Sequence, residues 1–308
     1  MRVLIKRILC ATDFSDFSNH AIPYGIALAR EFKAKLYVSH VIDLSSAAIY
    51  GEAVFALEEQ QSRMTAYAQK EMTRLMGQQA LDWEPLITVG NPANEIARLA
   101  ADKQVDLAIA ASHGRSGLKR LILGSVTERL MRTLPCPLWV VRSPEPGFVT
   151  PASEAIQLKK VLVGCDFSPD SSLAFEYGLS LAQEFQADLH LAHVVEPPLY
   201  DDLIKPSETR EPFRQRLQKT VQEKLTAMVP EEARAWCNPV TTLLAGQPHE
   251  ELIKHAVVND MDLIVLGVRG HSLVETLFVG STTDRVLRKA PCPVLTVRQA
   301  QQQPFEMP

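Results

Sequence analysis

The stretch "KRILCATDFSDFS" (6–18) returns 153 residues later as "KKVLVGCDFSPDS" (159–171), and this repetition decides how the chain divides. Each copy begins with a short apolar run, which favours a buried strand, and continues with the tripeptide Asp-Phe-Ser. Four more pairs of stretches match, the last being "RTLPCPLWVVR" (132–142) and "RKAPCPVLTVR" (288–298), at an offset of 156. The sequence therefore predicts two similar domains in tandem, with a net insertion of three residues in the second copy between 197 and 245.

The expected domain limits follow from where the matching stretches begin and end. A chain of 308 residues has the length of about two domains. The stretch "SPEPGFVTPASEAIQ" (143–157) is rich in Pro, Ser and Ala and is typical of a linker. We expect a first domain at 1–143, a linker at 144–157, a second domain at 158–299 and a C-terminal tail at 300–308. Whether the linker also sets how the halves face each other stays open.

The order of elements within each copy indicates the fold class. Five apolar runs alternate with four helical stretches, and in the first copy the runs are "RILCAT", "KLYVSHVI", "EPLITV", "DLAIAA" and "PLWVV". This alternation is typical of an α/β fold with helices on both faces of a parallel sheet. We predict two repeated doubly wound, Rossmann-like domains, each with a five-stranded, mostly parallel sheet. Ligands of such sheets bind beyond the carboxyl ends of the strands, so the loops after strands one and four are the candidate sites.

Composition and charge exclude several functional classes. The formal net charge is −4, so no basic field attracts nucleic acid or an anionic membrane. No apolar run approaches the roughly 20 residues of a membrane span, and the N-terminal run is too short for a signal peptide. The five cysteines are scattered without a CxxC pair, and His and Cys lack the spacing of a zinc site. We expect a cytoplasmic protein with reduced thiols, no bound metal of its own, and no nucleic-acid or membrane partner.

One loop concentrates glycine in a chain that has only 14 glycines. The stretch "GVRGHSLVETLFVGST" (267–282) closes predicted strand four with Gly267, opens the next loop with Gly270, and begins a helix at Gly280 and Ser281. Free N–H groups and the positive dipole end at a helix N-terminus suit a phosphate group. The spacing leaves two interpretations open. One is a phosphate cradle, and the other is a set of turn glycines before a capping box of Ser281 and Asp284.

Three features together carry a resemblance to a known family: the repeated "DFS" after strand one, the Gly-x-x-Gly-x9-Gly-Ser spacing of 267–281, and "PCPV" before the last strand. The chain resembles the tandem, two-domain form of the universal stress protein family over about residues 3–142 and 157–298. The resemblance implies an adenine-nucleotide alpha-hydrolase-like sheet and a loop that binds ATP or AMP, with or without Mg2+. It also implies a cytoplasmic stress-response protein with weak or no ATPase activity. The family includes members that lack the glycine motif and do not bind ATP.

The resemblance assigns roles to individual residues of the second copy. Asp166 would lie by the adenine or ribose, Val194 would meet the adenine through its backbone, and Gly267 would lie under the ribose. The phosphates would be held by Gly270, Gly280, Ser281 and Thr282. In the first copy the matching residues are Asp13, Val41, Gly114, Gly124 and Ser125, whereas Ala111 stands in the place of Gly267. Because a methyl group at Ala111 would crowd a ligand, we predict that the nucleotide is held mainly by the second half.

Other repeated polar residues have a structural explanation beside the functional one. Asp13 and Asp166 each stand two residues before a serine that can cap the next helix, so they are either turn residues or acceptors for the nucleotide. His40 and His193 lie late in predicted strand two and are expected to satisfy backbone carbonyl groups. A general base is not expected here, since no activated nucleophile accompanies these residues in the loops.

The remaining candidates are weaker. His113 and Arg269 occupy equivalent loop positions, and each either faces a phosphate or lies in a solvated loop. Cys136 and Cys292 stand in matching "PCP" turns and are expected to pack rather than react. The basic run "RSGLKR" (115–120) has no basic counterpart in the second copy, so we interpret it as a solvated or phosphate-adjacent loop.

The leading hypothesis is an adenine-nucleotide-binding regulatory protein. Two alternatives stay open: a slow ATP hydrolase, and a scaffold that binds a protein or another small ligand in place of nucleotide. The loop after strand one reads "TDFSDFS" or "CDFSPDS", without the HxGH or SGGxDS pattern of hydrolase relatives. The apolar runs "PLWVV" and "PVLTV" predict edge strands that pair, so the two halves would form an internal pseudo-dimer. A homodimer of chains and an unknown regulatory protein partner also stay open.

Overall fold

The structure is a computed structural model, and it describes residues 3–44, 54–113, 123–142, 156–196, 210–270 and 279–299. Each half of the chain contributes five strands. In the first half they are β1 Arg7–Ala11, β2 Lys35–Ile42, β3 Trp83–Val89, β4 Leu107–Ala111 and β5 Leu138–Val141. In the second half they are β6 Lys160–Gly164, β7 Asp188–Val195, β8 Val240–Ala245, β9 Leu263–Gly267 and β10 Val294–Val297. Nine strands coincide with the runs predicted from the sequence or with their matching stretches, and β8 supplies the fifth strand expected in the second half.

Helices connect the strands in both halves. Those of the first half are α1 Asp16–Asn19, α2 Ala21–Phe32, α3 Val54–Met76, α4 Pro92–Asp102 and α5 Ser125–Thr133. Those of the second half are α6 Pro169–Phe185, α7 Arg210–Ala227, α8 Pro248–Val258 and α9 Ser281–Lys289, with a short 3-10 helix at Glu231–Ala235. Among the helices described, none combines the length and the apolar character that crossing a membrane requires.

The ten strands form one sheet, in the order β3-β2-β1-β4-β5-β10-β9-β6-β7-β8. Neighbouring strands within each half run parallel, which confirms the predicted doubly wound fold. At the centre β5 and β10 pair antiparallel, with Leu295 opposite Trp139. The predicted pairing of "PLWVV" with "PVLTV" is therefore confirmed. Because these two strands run in opposite directions, the carboxyl edge of each half adjoins the amino edge of the other.

The central strands are almost entirely apolar, because helices cover both faces of the sheet. In β5, Trp139 points into the core on one face, and Leu138 and Val140 point into the core on the other. All three side chains are at most 1% exposed. Residues from both halves share each core, so burial continues without a break across the seam between β5 and β10.

Two arginines join the halves at the ends of the central strands. Arg298, which follows β10, donates to the carbonyl oxygens of Arg132 and Leu134, the latter at 2.9 Å. Arg142, the equivalent residue after β5, donates to the carbonyl oxygen of Ala290 at 2.6 Å. These carbonyls lie at the C-termini of α5 and α9, where the helix dipole favours a cation. Each half therefore stabilises a helix terminus of the other.

The first half departs from the predicted single helix over 18–32. The chain forms the four-residue α1, bends at His20 and continues as α2, whereas α6 in the second half is continuous over 17 residues. Pro23 has no N–H to donate to the carbonyl of Asn19, and its ring crowds that carbonyl. Glu176 stands at the equivalent position of α6 and has neither restriction. The proline therefore explains why the helix is broken in one half only.

Candidate functional site

A cavity of about 1040 Å³ opens beyond the carboxyl ends of β6, β7 and β9, where the predicted fold places ligands. These are the first, second and fourth strands of the second half. The cavity is lined by every second-copy residue for which the resemblance implies a contact with nucleotide: Asp166, Val194, Gly267, Gly270, Gly280, Ser281 and Thr282. The structure thus brings together residues that lie up to 116 positions apart in the sequence.

Helix α9 presents its first turn to this cavity. Gly280 is the N-cap residue, and no side chain caps the helix, so the capping box of Ser281 and Asp284 is not formed. The interpretation of Ser281 as a capping residue was therefore wrong, because Ser281 is the first helical residue. The first N–H groups of an α-helix have no partner inside the helix. Gly280 itself donates to the carbonyl oxygen of Val268 at 2.8 Å, so the available donors begin at Ser281 and Thr282.

Gly270 lies directly beneath the carboxylate of Asp166. A Cβ atom at Gly270 would lie 2.5 Å from Oδ2 of Asp166, a distance that a side chain cannot occupy. The other carboxylate oxygen, Oδ1, accepts a hydrogen bond from the backbone N–H of Ser168 at 2.9 Å. Ser168 in turn caps α6 by accepting from the N–H of Ser171. Asp166 is therefore a turn residue, as the structural explanation predicts, and it also brings its carboxylate to the glycine loop.

Gly267 is required by packing, which differs from the reason predicted from the sequence. A Cβ atom at Gly267 would lie 2.8 Å from the backbone C of Asp170 and from the backbone N of Ser171. The methyl group would therefore strike helix α6. Ala111 pairs with Val141 as Gly267 pairs with Val297, so the side chains at the two positions point the same way. By this pairing the methyl group of Ala111 faces the helix side of the sheet, which argues against the expectation that it crowds a ligand.

A buried carboxylate in the second half has no counterpart in the first. Asp170 is 6% exposed and accepts hydrogen bonds from the backbone N–H groups of Arg269 and Gln299, both at 3.0 Å. Its Oδ2 also lies 3.5 Å from Nε of Arg269, which lines the cavity. Phe17 stands at the equivalent position and is 40% exposed. Sequence reasoning missed Asp170, because an acidic residue in the first turn of a helix is common and signals no more than a favourable dipole interaction.

The repeated histidines do what the structural explanation predicts. Nδ1 of His193 hydrogen bonds to the carbonyl oxygen of Cys165 at 2.7 Å, and Nδ1 of His40 hydrogen bonds to that of Thr12 at 2.9 Å. Because a carbonyl oxygen can only accept, the proton is on Nδ1 in both rings. Burial lowers the pKa of His193, so its ring is neutral at pH 7. Both histidines are therefore structural supports of the loop after the first strand of each half.

The phenylalanine of each Asp-Phe-Ser turn has a backbone conformation that the sequence did not reveal. Phe14 has a φ of 64° and Phe167 a φ of 63°, a region that bulky residues rarely adopt. The ring of Phe14 stacks on His40 with centroids 4.2 Å apart, and that of Phe167 tilts against His193 at 4.8 Å. Nζ of Lys224 lies 4.1 Å from the Phe167 centroid. These ring contacts hold a strained turn in place beside the candidate site.

The equivalent loops of the first half are described only in part. Asp13 accepts from the N–H of Ser15 at 2.9 Å, and Gly124 donates to the carbonyl oxygen of Ser112 at 2.8 Å, as their second-half counterparts do. Ser125 is the first residue of α5, and no side chain caps this helix. Val41 is half-buried near the end of β2. Gly114 and the basic run at 115–120 lie outside the described residues, as do residues 271–278.

The cysteines show no arrangement for redox chemistry. All five are free thiols, and Cys292 is buried. Burial raises the pKa of Cys136 to about 12, so its thiol stays protonated at neutral pH. Cys136 and Cys292 both contribute to the core, as predicted. Among the described side chains, no group of three or more His, Cys, Asp or Glu residues is placed to hold a metal ion.

Comparison with protein families decides which family this repeat belongs to. A family model described as the universal stress protein family matches residues 4–142 and, a second time, residues 157–298. The chain belongs to the universal stress protein family. As the sequence predicts, it is the tandem form, in which one chain carries two universal stress protein regions.

Similar proteins include both one-domain and tandem universal stress proteins. The universal stress protein MJ0531 of Methanocaldococcus jannaschii is 34% identical over 146 residues, which cover 46% of this chain and 85% of that protein. The universal stress protein Slr1230 of Synechocystis is 25% identical over 322 residues, covering 96% of this chain and 100% of that protein. The solved structure of a universal stress protein from Archaeoglobus fulgidus has a TM-score of 0.68 at 20% identity, covering 95% of this chain and 98% of that one. This last likeness establishes the tandem fold.

Proposed function

We propose that this universal stress protein binds an adenine nucleotide, ATP or AMP, in the cavity of its second half, and acts as a regulatory protein. One observation carries the proposal. The uncapped first turn of α9 faces the same cavity as Asp166 and Gly270, so free backbone donors and a sugar-binding acceptor converge on one space. The expectation that universal stress proteins bind nucleotide through this glycine loop supports it.

The geometry suggests how the nucleotide would lie. Its phosphates would accept hydrogen bonds from the backbone N–H groups of Ser281 and Thr282, where the helix dipole favours an anion. The carboxylate of Asp166 would accept hydrogen bonds from the ribose, and the backbone of Val194 would meet the adenine. Mg2+ would enter on the phosphates of ATP, as it does in other ATP sites.

The thiol that lines the cavity is not activated as a nucleophile. Cys165 is 5% exposed, and burial raises its pKa, so it is not available as a thiolate nucleophile. We propose that nucleotide occupancy is read by a regulatory protein partner, in the cytoplasm, as the family resemblance implies. A slow hydrolysis of bound ATP is the second candidate, and the nonbinding scaffold is the third.

A pair of matched variants tests the binding proposal. Gly280→Val would place a Cβ atom 3.3 Å from the carbonyl oxygen of Val268 and is expected to block the first turn of α9. Gly124→Val does the same in the first half, where the corresponding distance is 3.2 Å. Both glycines have backbone angles that valine can adopt, so the folding cost is similar. We expect Gly280→Val to weaken ATP binding by about tenfold or more, and Gly124→Val to leave the tighter site unchanged, by titration calorimetry.

Two further measurements separate the three candidates. Mass spectrometry of small molecules released from the purified, denatured protein should detect ATP or AMP. If the unmodified protein neither carries nor binds either nucleotide, the scaffold replaces the proposal. Phosphate release from ATP that disappears in Gly280→Val would favour the hydrolase. Equal loss of ATP affinity in both valine variants would show that the second half does not hold the tighter nucleotide site.

A further inference from the structure

The cavity of the second half includes side chains of the first half. Glu128 and Arg132 of α5 line it together with Asp284 and Arg288 of α9. The repeat makes these two pairs equivalent, since each carboxylate stands four residues before its arginine in the corresponding helix. At about 1040 Å³ the cavity lies at the upper end of the usual range for a small-molecule pocket, about 300 to 1,000 Å³. The space beyond the glycine loop therefore continues along the seam between the two halves.

The antiparallel centre of the sheet explains why α5 reaches this cavity. Helix α5 leads into β5, and the start of β5 lies beside the end of β10, at the carboxyl edge of the second half. Arg298, which follows β10, hydrogen bonds to the carbonyl oxygens of Arg132 and Leu134 and so fixes the last turn of α5 at this edge. The backbone that carries the Arg132 side chain is therefore anchored to the second half itself.

The charges at the seam form two ion pairs within electrostatic reach of each other. Arg132 bonds to Glu128, and Arg288 bonds to both carboxylate oxygens of Asp284 at 2.8 and 2.9 Å. The pKa of Arg288 is raised, first by its hydrogen bonds to Asp284 and in smaller part by the charge of Glu128. The charge of Glu128 in the first half therefore acts on Arg288, which lies in the last turn of α9.

Arg132 can exchange its ion pair with Glu128 for a contact with a phosphate group. The Arg132 side chain is 38% exposed, and an exposed i,i+4 ion pair with a carboxylate contributes little to stability. A guanidinium group binds phosphate through two parallel hydrogen bonds, which a single carboxylate partner on the same helix does not exceed. A phosphate group at the seam would therefore compete well for Arg132.

We propose that Arg132 of the first half contacts the terminal phosphates of a nucleoside triphosphate bound in the second half, and so makes the site prefer triphosphate to monophosphate. This inference rests on the proposed nucleotide site, and it adds that the site distinguishes ATP from AMP. The single phosphate of AMP would be held by the first turn of α9, whereas the additional phosphates of ATP would extend towards the seam. Glu128 would weaken ATP binding in two ways: its negative charge repels the phosphates, and its ion pair with Arg132 competes with them.

Two variants that should change ATP affinity in opposite directions test the inference. Titration calorimetry measures the Kd of ATP and of AMP for the unmodified protein, for Arg132→Gln and for Glu128→Gln. Arg132→Gln should weaken ATP binding about tenfold, the effect of one charge-assisted hydrogen bond, and change AMP binding less than about twofold. Glu128→Gln should strengthen ATP binding, because it releases Arg132 and removes a negative charge. Arg74→Gln, which breaks a comparable exposed pair with Glu71 outside the cavity, is the control and should change neither.

The outcomes separate this inference from the proposed function. If the unmodified protein binds neither nucleotide, both fail. If it binds ATP and Arg132→Gln binds ATP equally well, the nucleotide site stands and the role of Arg132 is wrong. Equal weakening of ATP and AMP, or weakening of ATP by both seam variants, would show that Arg132 and Glu128 only support the structure. Partial recovery of ATP affinity in Arg132→Lys would support a role of the positive charge.

Discussion

The helix that follows the first strand differs between the two halves, and the difference shows what shapes a site within a repeated fold. In the second half, α6 is continuous, and Asp170 in its first turn is buried against the loop after β9 and the end of β10. In the first half the helix bends at His20, and the exposed Phe17 stands in the place of Asp170. The strands and their order are the same in both halves. One residue at a helix N-terminus, Asp170, therefore ties the glycine loop of the second half to the chain that follows β10.

The largest expected effect comes from removing this tie. Asp170→Ala should destabilise the protein by about 3–5 kcal/mol, because it leaves Arg269 without its ion pair and the backbone N–H groups of Arg269 and Gln299 without their acceptor. Phe17→Ala, at the equivalent position of the first half, should cost much less, since that side chain is 40% exposed. Urea denaturation of both variants measures the free energy of unfolding. Equal losses would mean that the two helix N-termini contribute alike, and the comparison would fail.

A smaller effect is expected at the end of the fourth strand. Gly267→Ala should destabilise the protein by about 1–3 kcal/mol, because its methyl group would meet the backbone of α6. Ala111→Gly, the reverse change in the first half, removes a methyl group that faces the helix side of the sheet, so it should leave ATP affinity in the first half unchanged. Denaturation curves and calorimetric titration of both variants check these statements. A first half that gains ATP affinity from Ala111→Gly would restore the original explanation of the alanine.

The smallest expected effect is a loss of folding stability as the pH is lowered. In the second half, Nδ1 of His190 lies 3.1 Å from Nε2 of His255, and burial is the first cause that lowers the pKa of each ring below 6.5. When folded-state pKa values are below those of the unfolded chain, the unfolded chain binds more protons, so stability falls as pH falls through 6.5. The urea midpoint should therefore drop between pH 7.5 and 5.5, and drop less in His255→Gln. An equal drop in the variant would place the acid sensitivity elsewhere, and His20→Gln on the surface of the first half is the control.

Much of the fold could be predicted because the relevant signals are local or repeated. The apolar runs gave the ten strands, and the run "PLWVV" indicated that β5 would pair with its repeat. The glycine spacing indicated that Gly270 and Gly280 would lie at one site, and both line the same cavity. The bend at His20 was missed, although Pro23 inside an otherwise helical pattern is a recognised signal for it.

The rest depended on direction and on tertiary neighbours, which spacing does not encode. The sequence places Gly267 at a strand end but does not say on which side of the sheet its missing Cβ would lie. It places Asp170 in a first helical turn but not under the N–H groups of Arg269 and Gln299. The reach of Arg132 into the cavity follows only after β5 and β10 pair antiparallel, so no pattern within one copy could have revealed it.

The antiparallel seam also makes the pairing of the two halves independent of protein concentration. When two separate chains pair through edge strands, dilution separates them, and their thermal stability changes with concentration. Here both strands belong to one chain, so the pair persists at any dilution. Because the two halves are encoded separately within one chain, a substitution in one half is not repeated in the other. In a homodimer a change such as Arg132→Gln would alter both sites, whereas this chain can change the seam of one half and keep that of the other.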